Sequence, residues 1–225
     1  TRLMTVKVLD CEGKGWMANV AQGIEYAVKN GARIINISVA SDGSITANES
    51  SVLRAALQMA QNAGVIVVAA AGNEARTGDV GTRYPAAYTD FPNLIGVGAS
   101  NNLNGNEWAT YSNYGPAVDF AAPGNRIVST TRSDLGLTAP YAEVGTEGGT
   151  SFSTALTSGM FALMMARNTR LSAADYIQIA RDAATPATPA AGQPVKIRAT
   201  VHNFGDAPLP DLRVTLRVDG CERAQ

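Results

Sequence analysis

Residues 65–75 read VIVVAAAGNEA. An unbroken apolar run of this kind has neither the alternation of a strand with one wet face nor the length of a helix, and its valines and isoleucine favour extended backbone. It suits a strand covered on both faces, as in a parallel sheet wrapped by helices. Gly72 and Asn73 close the run with turn-forming residues. The Asn73 carboxamide is therefore expected at the carboxyl end of the sheet, where ligands bind in folds of this type. Taken alone, AGN also describes an ordinary polar turn that stops a strand.

Working outward, the flanking segments alternate between the two periodicities. Residues 49–63, ESSVLRAALQMAQNA, read as a helix with Val52, Ala55, Ala56 and Met59 facing inward, closed by Gly64 in a C-terminal cap position. RIINISVA (33–40) reads as a strand and NVAQGIEYAVKNGA (19–32) as a helix, with Val20, Ile24, Ala27 and Val28 on one face. MTVKVLD (4–10) is a short β-branched run expected to be a strand, followed by the turn EGKGW. Beyond the starting stretch, NLIGVGA (93–99) repeats the strand pattern, and WATYSN, AVDFAAPG and RIVSTT carry shorter extended pieces. Strand and helix in alternation predict an α/β fold, a three-layer arrangement with a mainly parallel sheet between helices and right-handed crossovers.

The character of the chain changes near residue 184. TPATPAAGQP (185–194) has no periodicity and reads as an extended linker, whereas VKIRATVHN and LRVTLRVDG alternate like two antiparallel strands around the turn-former FGDAPLPD. Two strands cannot hold a core alone, so residues 195–225 are expected to open a further β module. The expected organisation is thus 1–184, a Pro/Ala-rich linker at 185–194, and 195–225. With 45% hydrophobic residues and a formal net charge of −1, the 225-residue chain can bury a sizeable core and offers no basic surface for nucleic acid. No window approaches the roughly 18 apolar residues of a membrane span. Because the chain begins at Thr1 with no charged-then-apolar leader, it is expected to be a piece of a longer protein. Cys11 and Cys221 define neither a zinc site nor a disulfide framework.

A second stretch carries chemistry. EGGTSFSTALTSGMFALMMA (147–166) delivers Ser151 to the front of a long apolar helix. A serine hydroxyl is a poor nucleophile unless a base takes its proton and donors stabilise the oxyanion that forms. A helix N-terminus meets the second need through its unpaired N–H groups and dipole. Gly148 and Gly149 would let a substrate backbone come close, and the small residues Ser153, Thr154, Ala155, Ser158, Gly159 and Ala162 predict a helix threading a packed interior. A bare GTS tripeptide is also an ordinary helix cap. Together with AGN it supplies a second element, a side-chain amide opposite the N–H of the serine.

These motifs, taken in order, resemble the subtilisin-like serine peptidases. The resemblance runs through VKVLDCEGKG, GIEYAVKNGARIINISVA, VIVVAAAGNE, YPAAY with NLIGVGAS, WATYSNYGPAVDFAAPG and GTSFSTALTSGMFALM, covering residues 3–184. It implies that Ser151 is the nucleophile and Asn73 the oxyanion donor. It further implies that Ser38, Val39 and Ala40, with Ala70, Ala71 and Gly72, line the cleft and hold an extended polypeptide substrate by strand addition. The resemblance implies a secreted or extracellular enzyme. No cofactor is required by it; a structural calcium is possible, for which Asp119 and carbonyls near Ala86 and Tyr88 are the candidates. The tail resembles the start of an immunoglobulin-like, adhesion-related β module.

Departures from the family pattern matter as much. Ser38-Val39-Ala40-Ser41 stands where relatives often have Ser-Leu-Gly-Gly, and Ala155-Leu156 where many have Pro-His. Arg83 falls where the resemblance places the floor of the primary specificity pocket, with Glu74 near its rim. A buried arginine there would favour an acidic substrate residue unless Glu74 neutralises it; an arginine turned out to solvent would not. The mechanism also needs a histidine base and an orienting aspartate. Neither Asp-Thr-Gly nor His-Gly-Thr-His occurs here, and the single histidine, His202, lies in the β-like tail. A missing N-terminal part of the same protein would then supply both, and this chain alone should be inactive. The competing readings are a family member without catalysis that binds peptides, and a surface-adhesion protein whose α/β part is scaffold.

Overall fold

The computed structural model describes residues 1–75, 82–101, 107–130, 141–144, 148–183, 194–201 and 212–219. In chain order the elements are α1 (Met17–Lys29), β1 (Ile34–Ile37), α2 (Ala47–Asn62), β2 (Ile66–Ala70), β3 (Leu94–Asn101), β4 (Glu107–Trp108), β5 (Phe120–Pro123), β6 (Ile127–Thr130), β7 (Tyr141–Val144), α3 (Thr150–Arg167), α4 (Ala173–Ala183), β8 (Pro194–Val201) and β9 (Leu212–Asp219).

The apolar run at 65–71 forms β2, and every residue of the strand is buried. Successive side chains of a strand point to opposite faces. Val65, Val67 and Ala69 accordingly join one core with α1 and α2, while Ile66 and Val68 join a second core with α3 and α4. Complete burial of Ile66, Val67 and Val68, each at 0% exposure, is worth about 1.5–3 kcal/mol per side chain. Such a strand needs neighbours on both edges. It has them: β1 pairs with β2, β2 with β3 and β3 with β5, all parallel, with Ile34 opposite Ile66, Val67 opposite Leu94 and Val97 opposite Phe120. The result is an α/β fold of three layers, the sheet lying between helices as the alternation predicted.

Both helices that precede β1 and β2 stop in the same way. Gly31 and Gly64 adopt left-handed backbone with φ of 80° and 67°. The following residues close a Schellman motif, Ala32 N–H donating to Ala27 O and Val65 N–H to Ala60 O. This cap turns each chain directly into its strand. At its other end α2 carries a reciprocal capping box between Thr46 and Glu49. Its inward face is Leu53, Ala56, Leu57 and Ala60, so Val52 and Ala55 are exposed and Met59 half-buried, one residue round from the expected face.

Two other expectations change, and a third gains a detail. Residues 4–10 form no strand; they are largely exposed, with Val8 packed on the first core. Extended backbone needs a ladder partner, and β2 already occupies one side of β1 while residues 4–10 leave the other unpaired. Among the described residues helix α3 is covered on one side only: Ala155 and Gly159 are exposed, and the buried side is Thr150, Ser153, Thr154, Thr157, Met160, Phe161 and Met165. Finally, β8 and β9 pair antiparallel with each other, as the alternation predicted, and β9 also meets β5 at Arg217 opposite Ala121, extending the main sheet. The linker up to residue 193, His202 and Cys221 lie outside the described residues.

Candidate active site

Parallel pairing aligns the carboxyl ends of β1 and β2, so the segments that leave them, Ser38–Ser41 and Ala71–Glu74, emerge on the same side of the sheet. The N-terminus of α3 arrives at that side. Ser38 Oγ donates to the Ser151 carbonyl at 2.9 Å, and Ser151 Oγ donates to the Ser38 carbonyl at 2.9 Å. This reciprocal pair fixes the serine against the end of β1. Asn36 Nδ2 donates to Ser38 Oγ at 2.9 Å, and Ser158 Oγ donates to Asn36 Oδ1 at 3.0 Å, so the same helix holds the strand about two turns further on. The Ser151 hydroxyl proton is thus held by a carbonyl, which is not a base, while its oxygen lone pairs remain available.

Asn73 is attached to the residue before the serine. Thr150 N–H and Thr150 Oγ1 both donate to Asn73 Oδ1, each at 2.9 Å. A backbone N–H can only be met by the carboxamide oxygen, so Nδ2 is turned the other way. That nitrogen has no partner among the described residues. It lies 3.8 Å from where a Cβ on Gly149 would sit, beside the first turn of α3, whose N–H groups have no intrahelical acceptors. The structure therefore brings Ser151 and Asn73 together at one helix end.

The turn that carries Asn73 is held by residues that motif reading overlooked. Gly72 N–H donates to Thr150 Oγ1 at 3.2 Å. Asn113, fully buried, receives the Glu74 N–H on Oδ1 at 3.1 Å and donates from Nδ2 to the Ala71 carbonyl at 3.0 Å and to Glu74 Oε2 at 2.6 Å. Gly72 has φ of 105°, and a Cβ there would fall 2.4 Å from Asn113 Nδ2 and 2.7 Å from Arg83 Cγ, so only glycine fits. Tyr111 closes the other flank: a Cβ on Gly148 would lie 2.4 Å from its ring, and burial pushes its phenol up against the lowering effect of the Gly149 backbone. The only hint of Asn113 in the sequence is an asparagine in the turn-like SNYGP, and Thr150 is visible only as the middle of GTS.

The cleft-lining expectation divides in two. Val39 and Ala40 are half-buried and have no backbone hydrogen-bond partner among the described residues, leaving that edge open to an extended chain. Ala70, Ala71 and Gly72 are buried, and the last two are already bonded: Ala71 N–H to Val97 O, Ala71 O to Arg83 N–H, and Gly72 O to Asn113 N–H. They shape a wall but cannot add a strand. Arg83 is not turned to solvent. Its side chain is 8% exposed and its Nε donates to Glu74 Oε2 at 3.2 Å. Asp119 does not suit a cation either. Its oxygens accept from Arg181 at 2.8 Å and from Gly96 N–H at 2.9 Å, while burial raises its carboxyl above the ordinary range against both. Among the described residues no group of three or more His, Cys, Asp or Glu could hold a metal, and no helix is long and apolar enough to cross a membrane.

Known proteins resemble this chain in sequence and in fold. The pattern of the family described as Peptidase_S8, the subtilase family, matches residues 1–205. A thermostable alkaline protease of Halalkalibacterium halodurans is 39% identical over 165 residues, 73% of this chain and 40% of that protein. A subtilisin of Bacillus pumilus is 36% identical over 167 residues, 74% of this chain and 54% of the relative. This chain thus spans about half the length of such relatives or less. Among solved structures, sphericase superposes with a TM-score of 0.65 at 27% identity, covering 79% of this chain and 58% of the other. A cold adapted subtilisin-like serine proteinase superposes with a TM-score of 0.62, also at 27% identity and with the same coverage. Sequence pattern, relatives and fold converge: the chain belongs to the subtilase family of serine peptidases.

Proposed function

We propose that this chain carries the nucleophile and oxyanion half of a serine endopeptidase site. The observation that carries the reading is the double hydrogen bond from Thr150 to Asn73 Oδ1. By holding Oδ1 it leaves the Asn73 amide N–H₂ free, close to Gly149. In the reaction, Ser151 Oγ attacks the carbonyl carbon of a polypeptide bond and its proton passes to a base. The carbonyl oxygen becomes an oxyanion received by Asn73 Nδ2 and the Ser151 N–H; the base then gives that proton to the leaving nitrogen, and collapse expels the amine and leaves an acyl-enzyme for water to hydrolyse. Such donors act best where charge develops at a helix N-terminus. The open edge at Val39 and Ala40, next to Ser38, holds the substrate backbone by strand addition, with Ala70, Ala71 and Gly72 as the facing wall.

The base and its orienting carboxylate are assigned to a part of the same protein N-terminal to this chain, so the chain alone is inactive. The whole protein is read as secreted or extracellular, with residues 195–225 opening an immunoglobulin-like module after a linker at 185–194. A structural calcium, if bound, uses ligands other than Asp119. One observation favours a second reading, a non-catalytic peptide binder: the Ser151 hydroxyl proton is held by a backbone carbonyl.

A serine-directed fluorophosphonate separates the two. In the intact protein it should modify Ser151, and Asn73→Ala should slow the modification by about 10²–10³-fold, the effect of removing one oxyanion donor. An unmodified Ser151 in a folded protein that still binds peptide would establish the second reading instead.

A further inference from the structure

Strand β1 carries a polar residue on an otherwise apolar face. Alternation sends Ile35 and Ile37 into the first core and Ile34 toward the second, so Asn36 and Ser38 stand on the side where α3 runs. Asn36 pairs with Val68, and Ile66, Val68, Ile95 and Val97 on that face all belong to the second core. An asparagine suits a strand poorly and adds nothing to such a row. Its side chain serves the helix instead.

The hydrogen bonds run in one direction. Ser158 Oγ donates to Asn36 Oδ1 at 3.0 Å, Asn36 Nδ2 donates to Ser38 Oγ at 2.9 Å, and Ser38 Oγ donates to the Ser151 carbonyl at 2.9 Å. A hydroxyl has one proton, so Ser38, with Nδ2 on its lone pair, has that proton directed at Ser151. The ring closes through α3, where residues 151 and 158 are about two turns apart. Further along, Phe161 and Met165 anchor the helix in the second core. On the face shared by Ser151 and Ser158 it carries Ala155, and side chains this small cannot fix an axial position by interlocking ridges. Directed bonds do so there. What they fix is the relation between two parts of the site: Asn73 is bonded to Thr150 and goes with α3, whereas the open edge at Val39 and Ala40 goes with β1.

We propose that Asn36 is a positioning residue for peptide hydrolysis: by bridging Ser158 to Ser38 it sets the height of Ser151 against the edge at Val39 and Ala40, so that a polypeptide held by that edge presents its carbonyl to the nucleophile. The inference rests on the peptidase reading above. A small reagent that touches only Ser151 and the oxyanion donors does not need this registration. An extended one does, because its backbone has to meet β1 and α3 at once.

The test compares two reagents for Ser151 in the intact protein, an alkyl fluorophosphonate and an acetylated tri-alanine diphenyl phosphonate, of which only the second carries a peptide backbone. Asn36→Ala should slow the peptidyl reagent by about 10–100-fold, the scale of a small misplacement of reacting groups, and the alkyl reagent by less than about threefold. Ser158→Ala, a replacement that suits a partly exposed helix position, should shift the ratio of the two rates in the same direction and add nothing once Asn36 is alanine. A merely structural role would slow both reagents together. Equal slowing of the two, no slowing of either, or a wild-type protein that takes the alkyl reagent but not the peptidyl one overturns the inference and leaves the peptidase reading standing. Failure of the wild-type protein to react with either reagent overturns both. Ser158→Ala decides the matter if Asn36→Ala does not fold.

Discussion

The two ends of one short segment are held by different physics. Along Ile66–Ala70 the chain is fixed by apolar side chains pressed between two helical layers, an attraction that is strong and non-directional. Immediately after, from Ala71 to Glu74, it is fixed by directed hydrogen bonds with Thr150, Asn113 and Arg83. The first part sets where the sheet lies. The second sets where a single amide points. Packing alone cannot aim a carboxamide to within a fraction of an ångström, whereas a cluster of short polar contacts can. The contrast predicts that the core should respond to lost volume, and the turn to the loss of particular atoms.

The largest stability effect should come from the core. Phe161 is fully buried and packs edge-to-face on Phe120, with ring centroids 6.2 Å apart. Phe161→Ala should lower unfolding stability by about 3–5 kcal/mol, read from the denaturant midpoint at unchanged slope. Asn113→Ala removes less volume but orphans the groups it satisfies. A loss of about 1–3 kcal/mol is expected, together with slower fluorophosphonate modification of Ser151, a readout Phe161→Ala should leave far less affected. If both substitutions changed reactivity equally, the distinction between the two regions would fail.

The smallest effect is a slope. Burial raises the Asp119 carboxyl despite Arg181 and the Gly96 N–H. With the folded value above the unfolded one, the native chain keeps its proton longer. This contribution to stability is therefore complete below the ordinary aspartate range near pH 4 and is lost as the pH rises through the folded value. Melting curves of Asp119→Asn across that interval should lack the fall. A fall of the same size in both proteins would show that Asp119 is not its source.

The same contrast explains what was legible in the sequence. The strand at 65–71 announced itself because two-sided burial leaves an uninterrupted apolar run. Helix α2 was harder: VLRAALQMA has apolar residues at so many positions that neighbouring faces fit almost equally, and the one that packs is centred on Leu53 and Leu57. In α3 the buried face is partly hydroxylic. Thr154 and Thr157 bond back to the carbonyls of Thr150 and Ser153, and Ser153 to Ala122, which lets polar side chains serve as core. Residues 4–10 have strand composition without a ladder partner. At the site, Ser151 and Asn73 stand in recognisable short motifs. Thr150 and Asn113 act on segments distant in sequence, with no periodicity to betray them.

The central claim is that Thr150 aims Asn73. Measuring it requires the rate of Ser151 modification by fluorophosphonate in the intact protein, in a double-mutant cycle of Thr150→Val and Asn73→Ala. Thr150→Val alone should slow the reaction by about tenfold, on the scale of one lost hydrogen bond, and should have almost no further effect once Asn73 is alanine. Independent, multiplicative losses from the two substitutions would contradict the account.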